Sequence, residues 1–185
     1  MHIAQMTREH AVHVATWRYP PPYDSNDMTG ADPDFLADPS SGFHALMQAN
    51  ELIGFRSFGP DGQVPGGPYD DAALDTGGGL RPDLTGRGLG RQAISTGLEF
   101  GMATYSPAAF RLTIAAYNVR AHRVVEALGF VRTAEFTAEG TGRVSGWPFI
   151  LFTAPVAALV LHGGGSQTTR EESLVGTTGR KSLPN

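Results

Sequence analysis

Leu80-Arg81-Pro82-Asp83-Leu84-Thr85-Gly86-Arg87-Gly88-Leu89-Gly90-Arg91 is the stretch on which the rest of this chain turns. Asp75-Thr76-Gly77-Gly78-Gly79, just before it, reads as the end of a strand, and a helical pattern begins just after it. A glycine-spaced loop, Thr85 through Gly90, therefore joins a strand to a helix N-terminus. Glycine lacks Cβ and tolerates positive φ, so successive backbone N–H groups can point into one concavity. The helix behind adds unpaired N–H donors and the positive end of its dipole. That combination is an anion site suited to phosphate. Arg87 and Arg91 add permanent positive charge. A flexible turn with no ligand is the plain alternative for such a glycine run.

The residues around the run narrow the ligand. A P-loop needs Gly-Lys-Ser/Thr, whereas Arg91-Gln92 follows the last glycine here. The chain's one lysine is Lys181, so no lysine in the body of the protein can hold a phosphate or form a Schiff base. A dinucleotide fingerprint needs a third glycine at a spacing this run lacks, and a carboxylate about 20 residues on. The region from Tyr105 to Arg111 contains none.

The pattern resembles the acetyl-CoA loop of the GNAT N-acetyltransferase superfamily, Gln/Arg-x-x-Gly-x-Gly/Ala. Gly88 and Gly90 match the two small positions, and Gly86 and Arg87 fill the two free ones. Thr85 stands where the family usually has Gln or Arg. Downstream, Asn118-Val119-Arg120-Ala121 and then Ala127-Leu128-Gly129-Phe130 match the family's Asn-x-x-Ala/Ser and Leu-Gly-Phe segment in order and separation. The resemblance spans about residues 40–152 and points to the branch that acetylates protein N-termini, including those of ribosomal proteins. It implies an α/β single domain with a GNAT-like mixed, partly parallel central sheet flanked by helices. It further implies acetyl-CoA as co-substrate, held by Leu80, Thr85, Gly86, Arg87, Gly88, Leu89, Gly90, Arg91 and Asn118. A bulge in the strand before the loop is also implied, its backbone groups facing the thioester and pantetheine.

At 185 residues the chain is one domain, about residues 1–160, with a Gly-, Ser- and Thr-rich stretch over 161–185 expected to be a disordered tail. Its 41% hydrophobic content suffices for a packed core. There is no cysteine, which excludes thiol catalysis and disulfides. The first residues lack the pattern of a signal peptide, and the longest late apolar run, 156–161, is far too short to span a bilayer. A cytoplasmic protein with no membrane partner is therefore the expectation. Net charge is −4, unevenly spread: ten carboxylates and one arginine, Arg56, from Asp24 to Asp75, against seven arginines and three acids from Arg81 to Arg132. One half suits a cationic amine and the other an anionic cofactor, unless both are simply solvated surface.

Thr7 can cap a first helix over 7–17 with an apolar side of Val12, Ala15 and Trp17, stopped by Pro20-Pro21-Pro22. A short helix over 34–37 follows Asp32-Pro33. Residues 43–48 and 52–58 read as a hairpin turning at Ala49-Asn50-Glu51, and 72–80 as the next strand. A helix over 89–104 carries an apolar stripe of Ile94, Leu98 and Met102 beside a small-residue stripe of Ala93, Gly97 and Gly101. After a strand over 110–116, Asn118 caps a helix with Ala121, Val124, Val125 and Leu128 on one face and Gly129 at its C-terminus. A last strand pair covers 130–136 and 147–153. Strand–helix–strand–helix–strand from 72 to 136 argues an α/β sheet with parallel neighbours.

Acetyl transfer to an amine needs a proton acceptor, a donor for the developing oxyanion and close positioning of two reactants. Asp75 is the candidate base, on the same strand face as Gly77 and Gly79; a solvated strand-edge aspartate is the alternative. Glu51 is a weaker second candidate. The family usually places a tyrosine acid seven residues after the asparagine, where this chain has Val125, so Tyr117 is the candidate acid, unless it is only a packing aromatic. Asn118 either hydrogen-bonds the pantetheine amides or only caps its helix, and Arg120 and Arg123 either reach the cofactor's phosphates or cover a helix face. His10 and His13 lack a third metal ligand. The expected function is direct acetyl transfer to an amine acceptor, a protein N-terminus or a small molecule. A non-catalytic acyl-CoA binder is the alternative, and a homodimer is an open option. A nucleic-acid partner is not expected, given net negative charge, no lysine in the body and a glycine-arginine run without interleaved aromatics; strongly salt-dependent RNA binding would revive that reading.

Overall fold

The computed structural model describes residues 1–140 and 144–161. Apart from Leu161, the tail expected over 161–185 lies outside the described residues. Seven strands form one sheet: β1 (His2–Gln5), β2 (His44–Gln48), β3 (Glu51–Phe58), β4 (Leu74–Leu80), β5 (Ala109–Ala115), β6 (Val131–Thr137) and β7 (Pro148–Pro155), in the order β1-β2-β3-β4-β5-β7-β6. β4 and β5 are parallel and the other neighbours antiparallel. The expected mixed α/β sheet is therefore present. Four helices cover it: α1 (Arg8–Val14), α2 (Pro33–Ala37), α3 (Gly90–Tyr105) and α4 (Val119–Glu126). None of the described helices is long and apolar enough to cross a membrane.

α3 and α4 pack on one face. Leu98, Val125 and Leu128, all fully buried, meet Phe110, Leu112, Ile114 and Phe152 of β5 and β7. Burying each such side chain contributes about 1.5–3 kcal/mol. α1 and α2 cover the other face, where Ala11, Val14, Trp17 and Leu36 meet Ala45, Met47 and Phe55. The buried side of α1 is thus Ala11 and Val14, with buried Trp17 following the helix; Val12, expected to face inward, is 43% exposed. Thr7 caps α1 as expected, its hydroxyl taking the His10 N–H, while the His10 ring returns the contact to the Thr7 N–H.

The small-residue stripe of α3 does what the sequence leads one to expect. A Cβ on Gly101 would stand 2.8 Å from the Phe110 ring, and one on Gly97 would stand 2.6 Å from Arg56 Nε. α4 ends in a Schellman turn, with Gly129 N–H donating to Glu126 O and Phe130 N–H to Val125 O.

Two features depart from expectation. β1 adds an edge strand that four residues with little alternation do not signal. No register shift interrupts the β3–β4 pairing, so the implied bulge in β4 is absent; the shifts among the described residues lie between β2 and β3 at Leu46/Met47 and between β6 and β7 at Arg132/Ala134. β4 is unusual instead at Gly78, whose φ of +146° lets Arg56 and the Phe55 carbonyl close on its backbone.

Candidate active site

The corner from β4 to α3 is braced from below. Arg81 holds Asp83 through Nε (2.7 Å) and Nη2 (3.2 Å) and reaches the Leu52 carbonyl through Nη1. A single 3-10 turn, Pro82–Leu84, follows. Both donors of Thr85, its N–H and its hydroxyl, go to the Pro82 carbonyl. Thr85 therefore ends that turn with both donors used inside the chain. The usable cradle starts one residue later. Gly86 and Gly88 hold φ of +75° and +79°, the left-handed region open to glycine. No side chain caps α3, so its first N–H groups are available to a ligand. Arg87 is exposed beside them. Arg91 turns the other way, its Nη2 donating to the Val160 carbonyl at 3.3 Å.

Below the cradle the sheet opens. β4 and β5 share only Leu74↔Phe110 and Asp75↔Arg111 before they part. Beyond that rung β4 is paired only with β3, and β5 only with β7. One edge of residues 76–80 and of 112–115 thus faces a gap that starts at the cradle and narrows to Asp75. Tyr19 guards its upper edge: its hydroxyl donates to the Leu80 carbonyl at 2.8 Å and would stand 3.0 Å from a Cβ on Gly79. Burial and then the Asp27 carboxylate push the Tyr19 phenol far above its usual value, so it stays a neutral donor.

Asp75 sits at the closed end and is 4% exposed. Arg111 donates to Oδ1 through Nε (2.6 Å) and to Oδ2 through Nη2 (2.9 Å), and Gln63 Nε2 adds a third bond to Oδ2 at 2.7 Å. Arg111 also binds Asp70, fastening the 59–73 loop to the sheet. Asp75 and then Asp70 hold the Arg111 guanidinium above its ordinary range. This is an anchoring ion pair, and it does not supply the open carboxylate that the expected base requires. Glu51, the second candidate, is exposed at the hairpin.

The downstream motif resolves differently. Asn118 Oδ1 accepts the Ala121 N–H at 3.2 Å, so the side-chain oxygen caps α4. Val125 is fully buried in the core with Leu98, Phe110 and Leu112. Tyr117 is half-buried between Tyr23 (ring centres 5.9 Å apart) and Trp147 (5.6 Å). Arg120 joins this aromatic row to the cradle. Its Nε donates to the Tyr23 hydroxyl at 2.8 Å, its guanidinium lies 4.1 Å over the Tyr23 ring, and Nη1 would stand 3.4 Å from a Cβ on Gly86. Sequence reasoning missed Tyr19 and Tyr23; their contacts span 61 and 97 residues.

The acidic half is largely committed to the fold. Asp27, Asp32, Asp34, Asp38, Asp61, Asp70 and Asp75, seven of its ten carboxylates, accept hydrogen bonds from within the chain. Among the described residues no group of three or more acids and histidines could hold a metal ion.

An uncapped helix end with two left-handed glycines, opening onto unpaired strand edges, fits a molecule with phosphates at one end and an amide-bearing arm at the other. Acetyl-CoA has that form. Among solved structures the chain is similar to a chimera of spermidine N-acetyltransferase SpeG from Vibrio cholerae and hSSAT (TM-score 0.63, 15% identity, covering 85% of this chain and 97% of that one). It is similar also to aminoglycoside acetyltransferase AAC(6')-Ib in complex with coenzyme A (0.63, 18%, 85% and 95%) and to ribosomal-protein-S5-alanine acetyltransferase from Vibrio fischeri (0.54, 15%, 83% and 91%). No curated protein matches. The model of the acetyltransferase (GNAT) family matches residues 9–130, a span that takes in the cradle, the gap and α4, and the chain belongs to that family.

Proposed function

We propose that this N-acetyltransferase transfers acetyl directly to a primary amine that enters beside Tyr23, Tyr117 and Trp147. The activity at the coarser level, acetyl-CoA-dependent acetylation of an amine, is that of its family. The observation that carries the site assignment is the cradle at Gly86 and Gly88 leading into the gap between β4 and β5. Acetyl-CoA supplies the acetyl group as an activated thioester. The N–H groups of residues 86–90 and Arg87 bind its phosphates. The free edge of residues 76–80 orients its arm as an added strand would be oriented. Tyr19 holds that edge in place, and the Asp75–Arg111 pair fixes where it ends.

With Asp75 committed, the acceptor's proton leaves to water in the cleft. Tyr117 remains the candidate proton donor, in the middle of the aromatic row. Absence of cysteine, and of lysine in the body of the chain, supports transfer without an acetylated enzyme. The aromatic row supports an acceptor with an apolar group beside its amine, a description that suits a peptide N-terminus or a small molecule. The acidic half offers few uncommitted carboxylates, which argues against a polycation. Dependence on acetyl-CoA, an intracellular metabolite, supports a cytoplasmic location.

Burial of Val125 where the family's acid is expected favours a second reading, a binder without turnover. Two measurements separate them. Acetyl-CoA at 100 times its Kd adds about 2.7 kcal/mol, a rise in Tm of roughly 5–10 °C for a domain of this size. An enzyme then releases CoA thiol in step with acetylated amine across a panel of peptides and small amines. Thermal stabilisation without release establishes the binder, and absence of stabilisation overturns both readings.

A further inference from the structure

Arg120 stands in the first turn of α4 and touches both halves of the proposed site. On one side its Nε donates to the Tyr23 hydroxyl at 2.8 Å, and its guanidinium lies 4.1 Å over the Tyr23 ring. Tyr23 in turn packs on Tyr117, the middle of the aromatic row. On the other side Nη1 would stand 3.4 Å from a Cβ on Gly86, the first left-handed glycine of the cradle. Among the described residues only the Nε proton of this guanidinium is engaged, and no carboxylate pairs with it. The side chain is exposed, so water meets the Nη donors and leaves them open to exchange for an anion.

Tyr23 belongs to the loop that leads from Tyr19 to Met28. The ends of that loop are fixed: the Tyr19 hydroxyl is on the Leu80 carbonyl, and the Met28 N–H on the Trp17 carbonyl. Between them the backbone hydrogen bonds of the described residues are local. Tyr23 N–H donates to Pro20 O, Asn26 N–H to Tyr23 O, and Asp27 N–H to Asp24 O. Pro20, Pro21 and Pro22 have no N–H to add. Tyr23 itself is half-buried at the margin of the core beneath α1 and α2, and it carries the contacts that cross from this loop to α4 and Tyr117. A segment with so few long-range contacts opens at low cost. A group that fixes Arg120 therefore also fixes Tyr23 and one side of the row.

We infer that Arg120 is a positioning residue that couples cofactor to acceptor: a phosphate in the cradle takes its Nη donors, and the guanidinium so held keeps Tyr23 against Tyr117, where the acceptor's apolar group packs. The inference rests on the acetyl-CoA site proposed above. A guanidinium can make both contacts at once. Its planar fork directs Nε–H and the Nη donors to different sides, and its face stacks on an aromatic ring. A lysine in its place would be a point charge able to serve the phosphate alone. The coupling is reciprocal: phosphate in the cradle tightens binding at the row, and a filled row tightens binding of acetyl-CoA by the same factor. Arg87 and the loop N–H groups hold the phosphate, and Arg120 adds the link to the acceptor side.

The test is amide hydrogen exchange of the intact protein, with and without saturating adenosine 3′-phosphate 5′-diphosphate. That probe is the half of CoA that bears the phosphates and lacks the arm, so nothing of it need enter the gap. Exchange over residues 86–91 reports the cradle, and exchange over residues 23–28 reports the loop, in one sample. Wild-type protein should slow at both, the loop by about fivefold or more. Arg120→Lys and Arg120→Met change an exposed side chain, so both should melt as wild type does. Each should still slow at 86–91 under saturating probe and lose the slowing at 23–28. No slowing at 86–91 in wild-type protein overturns the cofactor site and this inference together. Slowing at 86–91 without slowing at 23–28 overturns the inference and leaves the site standing. So does a loop that still slows in Arg120→Met, which the probe then reaches by another route, or in Arg120→Lys, where charge alone then suffices.

Discussion

Arg111 grips Asp75 with both oxygens engaged, at 2.6 and 2.9 Å, and the pair forms the last rung before β4 and β5 separate. Both side chains are buried, and removal of one partner from such a pair leaves an uncompensated charge costing about 3–5 kcal/mol. Asp75→Asn is therefore expected to lower Tm by roughly 6–15 °C. At a temperature where the variant is folded, its pH–rate profile should keep the wild-type shape. A general base would give the reverse result: preserved Tm, with kcat lost and the profile displaced. Calorimetry and a pH–rate series on the same sample decide between them.

The pairing also shows how far the sequence could be read. The glycine run, Asn118 and the stripes of α3 and α4 are local signals, since each depends on spacing within a few residues. The Asn118 cap and the packed faces of α3 and α4 lie where those spacings put them. The chemistry of the site depends on separations that spacing does not encode. Asp75 meets Arg111 across 36 residues, and Tyr23 meets Arg120 across 97. An aspartate on the strand entering the cradle thus reads as a base until the arginine opposite is seen. Val12 and β1 fail for another reason: helices and strands this short carry too few turns or alternations for a pattern to declare its buried side.

Gly88 separates a backbone requirement from a steric one. A Cβ there would meet nothing within 4 Å, so Gly88→Ala is strained only by its φ of +79°. The expected stability loss is about 1–2 kcal/mol. The added methyl lies on the cradle, so KM for acetyl-CoA should rise about tenfold or more while KM for the amine changes little. A variant with unaltered acetyl-CoA KM would remove Gly88 from the site.

His122 on α4 is 3% exposed and donates from Nε2 to the Ala115 carbonyl at 3.1 Å, which fixes its neutral tautomer. Burial lowers its pKa below the usual 6.5, outweighing the hydrogen bond that raises it. The folded protein thus binds this proton less readily than the unfolded chain does. Its contribution to stability is complete above about pH 6.5 and is lost as pH falls below that value. Tm should be level from neutral pH upward and drop in mild acid. His122→Gln, whose amide can still reach the Ala115 carbonyl, should flatten that drop, as a series of melts in buffers of stepped pH would show.

Arg56 is buried at 4% exposure with no carboxylate of the described residues paired to it. Desolvation lowers its pKa from the ordinary guanidinium range to about 10, which corresponds to a standing cost of about 3 kcal/mol at every pH below 10. Above pH 10 the folded state loses the charge before the unfolded chain does, so the penalty fades as pH rises. Arg56→Met retains much of the apolar stem and removes the charge. It is expected to stabilise the protein by about 1–3 kcal/mol at neutral pH, raising Tm by several degrees, with the gain shrinking in strong alkali. An arginine retained for packing would show the opposite result, a lower Tm, so melts of Arg56→Met from neutral to strongly alkaline pH test whether the buried charge is uncompensated.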